Sequence, residues 1–298
     1  MATILKRTVN GNEYHYMSYS YRKNDKVLKK EKYLGAEIPP FEELTQLWEA
    51  FSYEIAEERW LQEVDAIKET YCEILDSTPL SIIKKNLKNF GIHFTHNTNK
   101  IEGSSLNLRD VERVLKDDKL PKNRKPNDII ETKAHMKIYE EMLDTDNPLS
   151  MGMICNWHKN LFQLTDSNIA GLIRDYPVGI SGSDYEPPYS KIEIEQLLKD
   201  LFEWYEKNKD TYNPVFIAAI MHYRFIAIHP FGDGNGRMTR LMTNYILYKN
   251  EYPMFDISAD IRYKYYKALA KTDKKEHDLP FVLWFFKSYI ESNKKYLR

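Results

Sequence analysis

Cysteine is nearly absent from this chain: Cys72 and Cys155 are the only two in 298 residues. That is too few for a disulfide framework and suits a reducing compartment. Glycine is sparse as well, 11 in all, so the places where it clusters are informative. The longest apolar runs, such as Phe281–Phe286, fall far short of the about 20 residues that span a bilayer. Neither charge sign is in excess: 43 Lys and Arg stand against 44 Asp and Glu, so no basic field points to nucleic acid. The chain meets Lys6 and Arg7 before a signal-peptide core can form. A cytoplasmic protein with no membrane partner and no nucleic-acid partner is therefore expected. What is present, 42% apolar and 29% charged residues, is ordinary globular composition and excludes wholesale disorder. The length suits one large domain or about two.

Thr3–Thr8, Glu13–Arg22 and Lys26–Leu34 are rich in Tyr, Val, Ile and Thr. Asn10-Gly11-Asn12 and Lys23-Asn24-Asp25 separate them with turn chemistry, which predicts a three-stranded meander with Tyr14, Tyr16, Tyr19 and Tyr21 on a half-buried surface. Gly35 to Pro40 marks a boundary. From residue 41 the pattern is helical: Leu44, Leu47, Trp48, Phe51, Ile55, Val64, Ile67, Tyr71 and Ile74 fall near a 3.6 period, as one long helix or two. Further apolar-periodic stretches run through about 79–90, 107–116, 128–144, 150–163, 191–208, 214–228, 237–250, 260–272 and 280–295. Ser77-Thr78-Pro79 reads as a cap with a first-turn proline, and Ser190 with Glu193 as a capping box. Val178 to Pro188 looks like a short exposed hairpin ended by prolines. The fold class is mainly α, with a small N-terminal β-meander and a short flap β-hairpin. The division expected is 1–36 for the meander, 37–90 for a long helical segment and 91–298 for the core.

One segment carries chemistry: Ile228-His229-Pro230-Phe231-Gly232-Asp233-Gly234-Asn235-Gly236-Arg237-Met238-Thr239-Arg240. An apolar helix ends at Pro230, a glycine-rich loop follows, and a new helix starts near Gly236. Such a loop lets backbone N–H groups approach an anion, and the new helix N-terminus adds its positive dipole end. Arg237 and Arg240 lie one turn apart, so both guanidinium groups can face that anion. Asp233 is a hard oxygen ligand suited to a magnesium ion bridging phosphates. His229, at the loop's edge, is placed to take a proton near neutral pH. Taken singly, a His before a Pro, a Gly-rich turn and paired arginines are commonly structural. Neither the P-loop nor the dinucleotide Gly-x-Gly-x-x-Gly pattern fits. The combination at fixed spacing points to transfer chemistry on a nucleoside triphosphate.

His229 to Arg240 resembles the full signature of the Fic proteins, His-Pro-Phe-x-Asp-Gly-Asn-Gly-Arg-x-x-Arg. The resemblance extends over about residues 90–290, through Trp157-His158, Gly171-x-x-Arg174 with Val178-Gly179-Ile180, and Arg262-x-x-Tyr265-Tyr266-x-Ala268-Leu269. It implies a Fic-type helical core and transfer of AMP from ATP to a Tyr, Ser or Thr hydroxyl of a target protein or of the chain itself, with pyrophosphate released. On that resemblance His229 is the general base, and Asp233 holds Mg²⁺ on the α- and β-phosphates. Gly232, Gly234, Asn235 and Gly236 cradle the phosphates. Arg237 holds the β-phosphate, Arg240 the γ-phosphate, and Phe231 points inward to anchor the loop. The flap at Val178, Gly179, Ile180, Ser181 and Gly182 pairs with an extended target segment by strand addition. Tyr265 or Tyr266 lines the adenine pocket. Gly236, where kinase-acting relatives have Lys, favours nucleotide over phosphoryl transfer.

Upstream, Thr98-Asn99-Lys100-Ile101-Glu102-Gly103 resembles the family's inhibitory motif. The resemblance implies that Glu102 reaches Arg240, occupies the γ-phosphate site and makes the enzyme auto-inhibited. Alternative readings are removal of AMP from a modified protein, with Glu102 positioning a water, and a non-enzymatic nucleotide-sensing regulator. His93 and His96 are three apart without a nearby Cys or carboxylate, so a metal site there is not expected. His222 is expected in the core and Lys271–Lys275 at a solvated helix end. The target and the oligomeric state, a homo-oligomer included, are left open by the sequence.

Overall fold

The computed structural model describes residues 3–23, 26–180, 185–275 and 277–297. Three antiparallel strands, β1 (Thr3–Val9), β2 (Asn12–Lys23) and β3 (Lys26–Gly35), form a sheet in sequential order. Asn10 and Gly11 both take positive φ, the geometry that matches a tight hairpin to strand twist. A register shift at His15/Tyr16 separates two uses of the strand. Beyond it Met17, Tyr19 and Tyr21 alternate inward, against Trp48, Phe51 and Ile55, while Tyr14 and Tyr16 gather with Tyr33 on the other face. The second turn, at Asn24 and Asp25, lies outside the described residues.

The rest is helical. α1 (Phe41–Ala56) and α2 (Gln62–Ser77) join through a π turn at Glu57–Leu61, so the expected long helix is continuous but wound wider at one point. Then come α3 (Leu80–Ile101), α4 (Leu108–Lys116), α5 (Pro126–Asp144), α6 (Met151–Phe162), α7 (Lys191–Asn208), α8 (Pro214–Ile228), α9 (Asn235–Lys249), α10 (Arg262–Asp273) and α11 (Leu279–Asn293). The apolar stretch expected to end near 90 continues to Ile101, so the 90/91 division falls inside α3. Gly91 does not break it, because its bare Cα faces the Tyr139 ring, which a Cβ would approach to 2.4 Å. α8 is buried nearly all round and packs along α9, so this pair is the centre of the core. No helix among the described residues is long and apolar enough to cross a membrane.

Two local expectations are corrected. Ser190 is the residue before α7, but its side chain makes no cap bond; the Lys191 amide donates instead to Asp175 Oδ1, at 3.1 Å. The described flanks of the expected flap hairpin, 177–180 and 185–190, carry no strand. Pro177, Pro187 and Pro188 offer no ladder donor, and the Tyr176 and Pro188 carbonyls are already bonded to Arg174. Ser181 and Gly182 of the expected flap lie outside the described residues.

Candidate active site

α8 is apolar to its end, and the chain must then turn sharply to start α9. His229 closes α8 in the left-handed conformation, at φ 51°, and its amide still donates to the Phe225 carbonyl. His is among the residues that tolerate this region. The imidazole Nδ1 lies 3.1 Å from the Ile226 carbonyl, an acceptor only, so Nδ1 carries the proton and Nε2 is left with a lone pair. Burial lowers the His229 pKa, and the Arg174 cation lowers it further; the Ile226 bond, Glu102 and Asp233 work against that shift. The ring is therefore neutral at pH 7, as a base requires.

The loop is held from beneath. Phe231 is fully buried and stacks on His158 with ring centroids 3.9 Å apart. It packs beneath the loop and does not line the cavity among the groups meant to hold a nucleotide. Asn235 is also turned to the loop itself: its amide accepts from the Phe231 N–H and donates to the Phe231 carbonyl, each at 2.8 Å. What Asn235 offers the cavity is main chain. Gly234 takes φ +76° before the first turn of α9, where the unpaired N–H groups of Asn235 and Gly236 begin the helix. Asp233 keeps a largely exposed side chain, with Oδ1 accepting from the Gly234 amide at 2.5 Å.

The two motif arginines diverge. Arg240 is buried, with Nε donating to Thr98 Oγ1 at 2.6 Å and Nη2 to Glu102 Oε1 at 2.5 Å. Burial opposes its charge, but Glu102 overcomes this and raises the Arg240 pKa. Gly236 makes the pair possible, since a Cβ there would stand 2.2 Å from Glu102 Oε1. Gly103 follows Glu102 at φ +94° and turns the chain away. Arg237 instead pairs with Glu131 of α5, lies over the Phe162 ring and has Asp233 Oδ1 at 3.5 Å. It does not line the cavity, so the expectation of two guanidinium groups facing one anion is corrected: one points in and one is held by α5.

Glu102, His229, Gly232 to Gly236, Arg240 and Tyr266 line one cavity of about 320 Å³, with Gly179, Ile180 and Tyr185 on the flap side. Val178 is not among its lining residues. Tyr265 also lines it, and its hydroxyl is engaged with the buried His222 at 2.9 Å. Sequence reasoning missed three supports. Glu131 holds Arg237; His158 bonds the Asp233 carbonyl through Nε2 at 2.9 Å and the Gly171 amide through Nδ1; Arg174 grips the end of α8. Gly171-x-x-Arg174 and Trp157-His158 were visible as motifs, but their bonding partners are not sequence neighbours.

A family model described as the Fic/DOC family matches residues 148–247. A protein adenylyltransferase fic-1 of Caenorhabditis elegans is 26% identical over 246 residues, 80% of this chain and 47% of its own length. A protein adenylyltransferase Fic of Aedes aegypti is 29% identical over 206 residues, 67% of this chain and 40% of its own length. The chain thus spans about half the length of the curated relatives it matches. A solved Fic domain containing signaling protein from Bacteroides thetaiotaomicron superposes with a TM-score of 0.68 at 28% identity, covering 78% of this chain and 95% of that one. A Fic family protein from Desulfovibrio desulfuricans gives 0.64 at 27% identity, covering 78% and 73%. Residues 148–247, with the signature loop on the α8–α9 turn, match the Fic/DOC family model, and the chain is similar to Fic proteins in sequence and in fold.

Proposed function

We propose that this protein transfers AMP from ATP to a Tyr, Ser or Thr hydroxyl of a target protein, or of itself, and that Glu102 restrains the reaction. The observation that carries the reading is the neutral His229 ring, Nε2 unprotonated, facing one cavity with the α9 N-terminus and Arg240. Relatives named protein adenylyltransferase support it. In the reaction the target hydroxyl oxygen attacks the α-phosphorus, and the bond from that phosphorus to the bridging oxygen breaks. Pyrophosphate leaves, and the hydroxyl proton passes to His229 Nε2. The N–H groups of Asn235 and Gly236 and the α9 dipole stabilise the charge that develops on the phosphates.

Asp233 fits a magnesium ion: one largely exposed carboxylate at the cavity rim is what Mg²⁺ uses when substrate phosphates and waters complete its shell. When bound, Mg²⁺ would neutralise phosphate charge. Arg240 takes the γ-phosphate in this reading, which requires Glu102 to leave it. Arg237 reaches the β-phosphate only if it releases Glu131; while paired it positions the loop. Tyr266 borders the adenine. Val178 to Gly182 form the docking edge for an extended target segment, a role supported by Gly179 and Ile180 lining the cavity. Residues 1–36 and the helical segment that follows them are appendages to the core, with the 90/91 division moved to the start of α3 at Leu80, and the free Cys72 and Cys155 suit a cytoplasmic setting.

Removal of AMP is the second reading, favoured by one observation: Glu102 and His229 line the same cavity, so a carboxylate is available to orient a water. His229→Ala tests the common core. Transfer should vanish with ATP affinity nearly unchanged, because the imidazole meets the hydroxyl and not the phosphates. Retained transfer removes His229 from the mechanism. Loss of label from a pre-modified target, dependent on Glu102, would favour removal.

A further inference from the structure

Arg174 is 2% exposed, yet among the described residues its guanidinium bonds no carboxylate. Its bonds go to carbonyls. Nε donates to the His229 carbonyl at 2.7 Å and Nη1 to the Tyr176 carbonyl at 2.7 Å. Nη2 donates to the Pro188 carbonyl and, at 3.5 Å, to that of Ile228. Its own amide donates to the Pro230 carbonyl at 3.0 Å. One residue therefore satisfies three successive carbonyls at the C-terminus of α8, the helix end that favours a cation. The same guanidinium holds the chain just before the flap, at Tyr176, and just after it, at Pro188. Next to it, Asp175 accepts from the Lys191 amide at the start of α7.

A buried arginine left without an anion is costly unless carbonyls saturate it. A fork with five donors suits that task, and an ammonium group does not. The geometry joins two things the proposed reaction needs together: the backbone of the base, fixed at a left-handed φ, and both ends of the segment whose Gly179, Ile180 and Tyr185 line the cavity.

We propose that Arg174 is a positioning residue that sets the flap in register with His229, so that a docked target hydroxyl meets the imidazole. This rests on the transfer reading of the site. His229 also faces Glu102 and Asp233, whose negative charges act against that of Arg174. Replacing Arg174 thus has two separable effects: loss of the fork frees the flap, and loss of the charge moves the titration of His229.

The test compares Arg174→Lys and Arg174→Gln, each in a Glu102→Gly background, by two readouts that do not depend on activity. One is amide hydrogen exchange over 176–180 and 185–190; the other is NMR titration of His229, assigned by its loss in His229→Ala. Arg174→Lys keeps the charge but cannot span both ends. It should speed exchange in those segments about tenfold or more while leaving the His229 titration as in the parent. Arg174→Gln should do the same and also move the His229 titration to higher pH. Target labelling should fall in both, by up to about 100-fold for a misplacement near 1 Å, with KM for the protein target rising and that for ATP unchanged. Parent-like flap exchange in both variants, or exchange rising equally across α8, α9 and the flap, overturns the proposal. If the Glu102→Gly parent labels nothing, the transfer reading fails, and the exchange and titration results still decide whether Arg174 couples flap and base.

Discussion

Replacing Glu102 by Gly removes one carboxylate from a buried guanidinium. Arg240 is 2% exposed at its side chain and Glu102 27%, with 2.5 Å between Nη2 and Oε1. A hydrogen bond to a charged group in such a setting contributes about 1.5–3 kcal/mol. ATP must displace that bond to put its γ-phosphate on Arg240, and each 1.4 kcal/mol is about tenfold in rate or affinity. Glu102→Gly should therefore raise labelling of target or self by about 10- to 100-fold over the parent. The change also leaves Arg240 without a carboxylate among the described residues, held by Thr98 through Oγ1 at 2.6 Å and the carbonyl at 3.2 Å and by the neighbouring Tyr265 hydroxyl. An under-paired buried charge destabilises, so the nucleotide-free variant should melt below the parent and ATP should stabilise it more. The assay is protein labelling from ATP carrying label at the α-phosphate, with Tm measured in parallel with and without ATP. Glu102→Gly with Arg240→Ala should lose the gain. Wild-type labelling in Glu102→Gly, or a gain that survives Arg240→Ala, refutes the reasoning.

Three further outcomes are expected. The acid limb of kcat/KM should lie below the ordinary His value of about 6.5, because a depressed pKa keeps His229 unprotonated to lower pH; Glu102→Gly removes a group that raises it and should move the limb lower still, as a pH–rate profile will report. Burial holds His135 near 3, and His158 and His277 near 4, so the unfolded chain binds more protons below pH 6.5 and stability is lost as pH falls through that window. The loss is about 2 kcal/mol for each by pH 5, offset in part by Asp256, whose buried carboxyl titrates near 6; equal denaturant midpoints at pH 7 and 5 contradict this. Proline at Gly179 or Ile180 should weaken target labelling generally, while side-chain changes at Ile180 or Tyr185 should change target choice; normal labelling by the proline variants means the segment is not the docking edge.

The α8–loop–α9 unit was legible because its signals are local. An apolar run, a proline, three glycines and a helix start within 13 residues leave few conformations. The meander was legible for the same reason, since alternation and Asn10-Gly11 act over short range. Arg237 was read wrongly because a one-turn spacing puts two Cβ atoms on one side of a helix but does not aim long side chains. Glu131, 106 residues earlier, sets its direction. Arg174 and His158 bond main-chain carbonyls 55 and 75 residues away, and no side-chain pattern signals a carbonyl. The run of α3 to Ile101 escaped periodicity because Gly91 marks a helix contact and not an end. That continuation carries Thr98 and Glu102 to Arg240.

Adenylyl transfer and phosphoryl transfer from the same ATP differ in which phosphorus stays on the protein. Glu102→Gly should be incubated with a lysate and ATP labelled at the α-phosphate in one arm and at the γ-phosphate in the other, counting only label above that of the same lysate with Glu102→Gly/His229→Ala, so that kinases of the lysate are subtracted. Protein should take up α-label in a His229-dependent manner and no γ-label, with labelled pyrophosphate appearing in the second arm. Label on protein from the γ-phosphate, or none from either, contradicts the proposed transfer of AMP.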